Sequence, residues 1–383
     1  MGNMRVLVTG GAGYLGSHVV LALLESGHEV DVVDDFSRGT PASLARAEIT
    51  SGRRVGTHTA DVADIDAMER VFACSDVDAV VHLAGLRSAT ESVHRPLDAY
   101  ETNLTTLFTL LRCMTWYGVG RLVLSSTAAV YGTVDDAGTR LTEDRALAPA
   151  SPLGRTLATG EHVLQDVAGA GAALRAAVVR CFTTVGAHSS GRLGEDRTGA
   201  PPSLLTRIGD VALGRREHLE VFDGLGTPDG TAVRDYVHVT DVAAGHVAAL
   251  ASLDEPSGRA VQAWNLGTGQ ATSVLDVLST FQEVTGHCVP HRRRPAPPGT
   301  TAGAVADTER TTASLGWTAT RDLAEICRDH WRWQEQHPRG YPSTLTPETP
   351  WRGGVGHRLR LVPPLSAAVS PLMPATRHGL TAR

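Results

Sequence analysis

Residues Val6 to Ser17 read VLVTGGAGYLGS, and this stretch is the strongest indication of the fold. Gly10, Gly13 and Gly16 lie between a β-branched run and a stretch with helical apolar spacing. In such a segment the first glycine permits a tight turn, the second lets the backbone approach a diphosphate, and the third lets the helix pack closely on the strand. The diphosphate is expected at the positive end of that helix. The segment therefore predicts a strand–turn–helix unit that binds a dinucleotide.

An acidic residue follows the second predicted strand at a suitable distance. Asp34 lies 18 residues beyond Gly16, where a carboxylate can accept both ribose hydroxyls and would repel a 2′-phosphate. A glycine-rich turn alone can be purely structural, but here the strand, the helix and the acid coincide. Asp35 adds to the repulsion and Arg38 could soften it, so we expect NAD rather than NADP.

Strands and helices alternate from the N-terminus, which predicts a doubly wound, Rossmann-type α/β fold with a parallel sheet. We expect a Rossmann domain (4–182 plus 235–266), a smaller α/β substrate domain (183–234 plus 267–342) and a disordered tail (343–383) rich in Pro, Thr and Arg. Within the substrate domain, the proline-rich segment Arg292 to Gly299 predicts an irregular loop.

Composition excludes several classes of function. A formal net charge of -6 argues against nucleic-acid binding. The five cysteines have no CxxC spacing, so we predict a reducing compartment and no metal site. No apolar run approaches the roughly 20 residues of a membrane span, and no signal peptide is evident, so we expect a cytoplasmic protein. The chain contains no lysine, for which the simplest explanation is a bias toward arginine codons.

Longer motifs extend beyond a generic dinucleotide fold. The chain resembles the extended short-chain dehydrogenase/reductases and, within them, the UDP-galactose (UDP-glucose) 4-epimerases, over residues 4 to about 342. The resemblance rests on VTGGAGYLGSH (Val8–His18), VVHLAGLRSATESVHRPLDAY (Val80–Tyr100), LSSTAAVYG (Leu124–Gly132), VGAHSSGRLGED (Val185–Asp196), DGTAVRDYVHVTDVAAGHV (Asp229–Val247), NLGTG (Asn265–Gly269) and HPRGYP (His337–Pro342).

The resemblance implies NAD as the cofactor and assigns its contacts. Arg87 stands where the family usually has a lysine. Asp61 with Val62 would suit the adenine edge, although Asp61 could equally be a helix N-cap. The expected cofactor-binding residues are Gly10, Gly13, Tyr14, Leu15, Gly16, Asp34, Asp61, Val62, Leu83, Ala84, Gly85, Arg87, Asn103 and Phe182.

The family's catalytic pair is absent from this chain. In the family, NAD removes a hydride from C4 of the hexose and returns it to the other face, while a tyrosine four residues before a lysine is the base. Here Leu153 and Leu157 occupy those two positions, and the relay hydroxyl maps onto Thr127. Arg155 would point about 200° away from Leu153 on a helix. A positioned base contributes about 10²- to 10⁴-fold, so we expect conventional epimerisation to be lost or strongly impaired.

The nucleotide-sugar site has also changed. By resemblance a UDP-hexose would contact Thr183, Ser203, Phe222 and Arg234, of which the first two replace asparagines. Arg292 to Arg294 lie just upstream of the loop that supplies an arginine and an acid to the UDP moiety in the family, and they are an alternative source of positive charge for its diphosphate. The resemblance also implies a homodimer, formed through Leu104 to Met114 and the helix after Gly154.

Four other side chains are candidates for a substitute base. Tyr131 is the tyrosine nearest in sequence to Thr127, but a packing role is the better explanation. His94, Cys181 and His188 likewise form no convincing dyad. Three functions stay open: a non-catalytic member that acts as a partner or sensor, an active epimerase with a substitute base, and a different redox reaction on a modified sugar.

Overall fold

Strands and helices alternate through the first part of the chain. The computed structural model describes residues 2–134, 138–171, 173–197, 202–254, 259–296, 303 and 305–341. The strands are β1 (Arg5–Thr9), β2 (Glu29–Asp34), β3 (Val55–Thr59), β4 (Ala79–His82), β5 (Arg121–Thr127), β6 (Arg140–Leu141), β7 (Arg175–Cys181), β8 (Thr183–Val185), β9 (Leu219–Asp223), β10 (Val233–Arg234), β11 (Tyr236–His238), β12 (Val261–Leu266), β13 (Thr272–Ser273), β14 (His291–Pro295) and β15 (Val305–Ala306). The helices are α1 (Tyr14–Glu25), α2 (Pro41–Ser51), α3 (Ile65–Cys74), α4 (Ala89–His94), α5 (Pro96–Tyr117), α6 (Pro152–Gly169), α7 (Leu204–Ala212), α8 (Val239–Ser252), α9 (Val274–Thr285), α10 (Glu309–Leu315) and α11 (Leu323–Gln336), with a 3-10 turn at Ala128–Tyr131.

Seven parallel strands form one sheet in the order β12-β7-β5-β4-β1-β2-β3. Strand order reverses between β1 and β4, and in open parallel sheets ligands bind at the carboxyl ends of the strands on either side of such a point. Along β1, Val6 and Val8 pack in the core that includes α1 and α8, whereas Leu7 packs in the core with α3 and α5. Both faces of the sheet are therefore covered, and the predicted Rossmann-type fold is confirmed.

A third hydrophobic core lies outside the sheet. It joins α7, α9 and α11 to β8, β9 and β11, with fully buried Leu205, Ile208 and Phe281 at its centre. This core gives the second part of the chain an interior of its own. The predicted domain boundaries themselves stay a prediction, and the predicted tail (343–383) lies outside the described residues.

One sequence-based expectation is wrong. Arg292–Pro295, predicted as part of an irregular loop, belongs to β14, which pairs in parallel with β9. Pro295 occupies the last strand position, where its missing N–H is tolerated, so the proline-rich sequence did not exclude a strand. The rest of the predicted loop, from residue 297, lies outside the described residues.

Among the described residues, no helix has both the length and the apolar character needed to cross a bilayer.

Candidate functional site

A cavity of about 550 Å³ opens at the carboxyl ends of the sheet strands. This volume lies within the usual range for small-molecule sites. The sequence-predicted residues in its wall are Gly10, Gly13, Tyr14, Leu15, Gly16, Asp34, Asp61, Val62, Leu83, Ala84, Gly85, Arg87, Thr127, Leu153, Leu157 and Phe182.

The glycine turn between β1 and α1 shapes one end of the cavity. Gly10 has φ +72°, and a Cβ there would lie 2.7 Å from the Ala84 nitrogen; at Gly16 it would lie 2.1 Å from the Gly10 oxygen. Both positions therefore require glycine for packing within the protein. Gly13 differs, because the nearest atom to a Cβ there is 3.5 Å away. Its missing side chain leaves open the start of α1, which has no side-chain cap and no acid in its first turn, and this opening fits an anionic diphosphate.

Asp34 lies in the cavity wall at the end of β2, where the ribose of a dinucleotide is expected. Its two oxygens accept hydrogen bonds from the backbone N–H groups of Ala12 and Phe36, each at 2.9 Å. Burial raises the pKa of Asp34, while these two bonds oppose the shift. Arg38 forks onto Glu91 at 2.8 and 2.5 Å, so its guanidinium is engaged by a carboxylate. The arrangement favours NAD over NADP.

Asp61 and Val62 lie in the cavity wall beyond β3. The alternative that Asp61 is a helix N-cap is wrong, because Asp64 caps α3 and accepts from the first-turn N–H groups. Asp61 instead accepts from the Ala63 N–H at 2.8 Å in a local turn. Its carboxylate is therefore placed beside the cavity rather than at a helix end.

Arg87 is a fixed cation where β4 and β5 end. Its guanidinium donates to the backbone oxygens of Ser125 (2.7 Å), Leu83 (3.2 Å) and Ala84 (3.1 Å). The side chain is accessible from the cavity but surrounded by protein, and burial lowers its pKa to about 10. The group stays charged at neutral pH.

Asn103 lies behind the cavity wall rather than in it. Its side chain accepts from the Leu86 N–H (2.7 Å) and donates to the Leu86 oxygen (3.2 Å) and to Thr156 Oγ1 (2.8 Å). A Cβ on Gly85, which has φ +131°, would lie 2.5 Å from Asn103 Oδ1. Asn103 therefore fixes the 83–87 loop against α6.

Leu153 and Leu157 form an apolar part of the wall. Both lie on the first turns of α6, four residues apart, and they are 4% and 5% exposed. Arg155, between them, is exposed on another face of the helix and lies outside the wall. Thr127 lies in the wall, and its hydroxyl accepts from the Ala129 N–H at 3.3 Å. The wall thus carries a hydroxyl and two isobutyl groups where the family has a relay and a dyad.

None of the four candidates for a substitute base (Tyr131, His94, Cys181 and His188) is placed to act as one. Tyr131 is in the core, its hydroxyl accepts from Arg180 at 2.9 Å, and burial raises its pKa to about 12. Cys181 lies in the wall, but burial raises the pKa of its thiol to about 12. His188 lies outside the wall, and His94 is exposed at the end of α4.

The residues predicted to bind the nucleotide sugar lie outside the wall of this cavity. Ser203 caps α7 and donates to both oxygens of Glu195, from its backbone N–H at 3.0 Å and its hydroxyl at 2.5 Å. Its hydroxyl is thereby committed to a structural contact. On β8, Thr184 lines the cavity and Thr183 does not. The four predicted residues outside the cavity wall are Thr183, Ser203, Phe222 and Arg234.

Sequence reasoning missed a part of the wall that comes from distant segments. Gly194, Glu195, Asp196 and Tyr341 face the same cavity as the glycine turn. The first three belong to the GRLGED part of a motif quoted above, and Tyr341 belongs to HPRGYP. Both motifs signalled the resemblance, but no local pattern indicated that they would meet.

Comparisons with known proteins agree with this geometry. The sequence model of the NAD dependent epimerase/dehydratase family matches residues 6–267. UDP-glucose 4-epimerase of Bacillus subtilis is 42% identical over 341 residues (89% of this chain, 99% of that protein), and the Mus musculus enzyme is 42% identical over 347 (88% and 98%).

Solved structures give the same result. The Bifidobacterium longum UDP-glucose 4-epimerase in complex with NAD+ and UDP has a TM-score of 0.83 at 38% identity, covering 88% of this chain and 100% of that one. The Stenotrophomonas maltophila enzyme with bound NAD and formylated UDP-arabinopyranose has a TM-score of 0.84 at 39% identity, covering 88% and 99%.

Proposed function

Because the chain belongs to the UDP-glucose 4-epimerase family of NAD-dependent epimerases and dehydratases, we propose that it binds NAD and a UDP-hexose but has lost most of the conventional interconversion of UDP-glucose and UDP-galactose. NAD is its cofactor. The intact glycine turn, the open start of α1 and the carboxylate of Asp34 support the cofactor site.

The observation that carries the proposal is the pair of leucines on α6. Leu153 and Leu157 face the cavity from successive turns of one helix, so their side chains occupy the space in which a base and its activating cation would act. Neither isobutyl group can accept a proton or stabilise an alkoxide. Removal of a positioned base alone costs about 10²- to 10⁴-fold in rate.

The remaining groups of the wall offer weak replacements. Tyr14 donates its hydroxyl proton to the Gly186 oxygen at 2.7 Å, and burial raises its pKa. Thr127 has no neighbouring base among its hydrogen-bond partners in the described residues. These contacts support an impaired enzyme over an active epimerase with a substitute base.

The test is to add UDP-galactose to the purified protein and follow both UDP-glucose formation and the absorbance of reduced nicotinamide. The Bacillus subtilis relative, assayed in parallel, is the positive control. We expect bound NAD, saturable UDP binding and at most a trace of product. Turnover comparable with that of the relative would overturn the proposal and support the substitute-base alternative, whereas failure to bind NAD would overturn the cofactor assignment.

We also propose a homodimer through α5 and α6. These helices pack side by side, and the outer face of α5 carries exposed Leu97 (78%) and Phe108 (41%). Apolar side chains of this size on one helix face favour burial against a partner. Light scattering should report a dimer for the wild type and a monomer for Phe108→Glu. The Ile49→Glu variant on α2 is the matched control, and a monomeric wild type would overturn the proposal.

A further inference from the structure

Tyr341 contacts the start of α1, although more than 320 residues separate them in sequence. Its side chain shares the cavity wall with Tyr14 and Gly16, and the Ser17 hydroxyl lies against it. The start of α1 presents the N–H groups that suit an anionic diphosphate. Tyr341 therefore lies at the diphosphate end of the cavity.

The position of Tyr341 is fixed by its contacts with Asp196 and Trp333. Its backbone N–H donates to Asp196 Oδ1 at 3.2 Å, and its ring packs on Trp333 with centroids 4.7 Å apart. Trp333 also donates its indole N–H to the Glu195 oxygen at 2.9 Å. A single buried tryptophan thus holds both the 194–196 loop and Tyr341.

Two glycines permit this close approach. A Cβ on Gly194 would lie 2.4 Å from the Trp333 ring, and a Cβ on Gly340, which has φ +83°, would lie 2.0 Å from Asp196 Oδ1. Any side chain at either position would separate the 194–196 loop from Trp333 or from the segment that carries Tyr341. The sequence is therefore specialised for the contact that presents Tyr341 to the cavity.

The Tyr341 hydroxyl has a proton to give. It accepts a hydrogen bond from the Gly194 N–H at 3.2 Å, and its contact with the Gly194 oxygen, at 3.5 Å, is long for the donation of its own proton. The Ser17 hydroxyl beside it already donates its proton to the Tyr14 oxygen at 3.0 Å. Burial raises the pKa of Tyr341, so the phenol stays neutral. A neutral donor at the rim suits an anion better than the neighbouring carboxylates do.

We infer that Tyr341 is a cofactor-binding residue whose hydroxyl donates to the diphosphate of the bound dinucleotide and whose ring covers the outer side of that site. The inference rests on the proposed NAD site. It adds Tyr341 to a cofactor site that the glycine turn by itself does not predict to include this residue.

The experiment compares Tyr341→Phe with the wild type and with Tyr117→Phe, a surface tyrosine outside the cavity wall. Affinities for NAD, ADP-ribose and adenosine are measured by titration. A hydrogen bond to a charged group is worth about tenfold or more in affinity. We expect Tyr341→Phe to lower the affinities for NAD and ADP-ribose by about that factor and to leave the affinity for adenosine unchanged. Tyr117→Phe should alter none of the three affinities.

Other outcomes would overturn the inference. An unchanged affinity for NAD in Tyr341→Phe would show that the hydroxyl does not contribute to cofactor binding. An equal loss for adenosine would show a general packing defect instead of a diphosphate contact. The phenylalanine variant keeps the ring on Trp333, so its folding is expected to be intact and is checked by thermal unfolding without ligand. Failure of the wild type to bind NAD would overturn the proposed cofactor site itself and is visible without any variant.

Discussion

Leu153→Tyr combined with Leu157→Lys should restore epimerase activity. The two positions lie four residues apart on α6, and both face the cavity, so the new side chains would project into one space. The tyrosine alone should do little. A free phenol has a pKa near 10, so at pH 8 only about one molecule in 100 would be ionised, and burial beside apolar side chains lowers that fraction further.

The lysine supplies the missing charge. A neighbouring ammonium lowers a phenol's pKa, and a functioning base is worth about 10²- to 10⁴-fold, or roughly 3 to 5 kcal/mol of activation free energy. We therefore expect the double variant to convert UDP-galactose to UDP-glucose at least about 100-fold faster than either single variant. Its rate should rise with pH until the phenol is ionised. A coupled assay for UDP-glucose measures both quantities.

The chain offers a matched control for this experiment. Leu153→Tyr with Arg155→Lys introduces the same two residue types, but position 155 is exposed and lies outside the cavity wall. That variant should show no gain over Leu153→Tyr alone. If the Leu153/Leu157 double variant folds, binds NAD and UDP-hexose, and still gains nothing, the reasoning is refuted, and the asparagine replacements at Thr183 and Ser203 become the candidates for the proposed impairment.

Three further predictions concern buried ionisable side chains. Glu161→Ala should lower the free energy of unfolding by about 3 to 5 kcal/mol in urea, because Arg180 is buried and binds Glu161 at 2.6 Å; a change below about 1 kcal/mol would contradict this. Asp34→Asn should reduce the preference for NAD over NADP by about tenfold or more in competitive titrations, since it removes the charge facing a 2′-phosphate while Arg38 stays nearby; an unchanged ratio would argue against that role. Burial lowers the pKa of His246 from 6.5 to about 4, so the unfolded chain binds its proton more readily. The free energy of unfolding should therefore fall between about pH 6.5 and pH 4, by up to about 1.4 kcal/mol per pH unit from this residue, and His246→Gln should have a shallower slope.

The parts of the site that the sequence predicts correctly depend on local geometry. Gly10 and Gly16 have backbone neighbours that exclude any Cβ, so their spacing alone indicates the turn. The short runs of consecutive apolar residues likewise predict a sheet that is covered on both faces. Successive side chains of a strand point to opposite faces, so Leu7 and Val8 lie in different cores. In both cases a short stretch of chain contains the full physical reason for its structure.

The parts that the sequence could not predict depend on where side chains point after packing. Asn103 is polar and close to the cavity, but its amide is used to hold Leu86 and Thr156. Ser203 is predicted to contact a UDP-hexose, and no pattern in the sequence indicates that its side chain also caps α7 and donates to Glu195. Tyr341 reaches the cavity only because Trp333 positions it. No pattern within a few residues of these side chains specifies their partners.

The lysine-free composition bears on the proposed loss of the tyrosine–lysine pair. A bias toward arginine codons explains Arg87, where a guanidinium keeps the positive charge and binds three backbone oxygens. The same bias would put arginine at position 157, since arginine is equally cationic. Leucine stands there instead, and a second leucine replaces the tyrosine at 153, a residue that codon bias against lysine does not touch. Composition therefore accounts for the arginine at position 87 but not for the leucines at positions 153 and 157, and this difference supports the proposed impairment of the catalytic site.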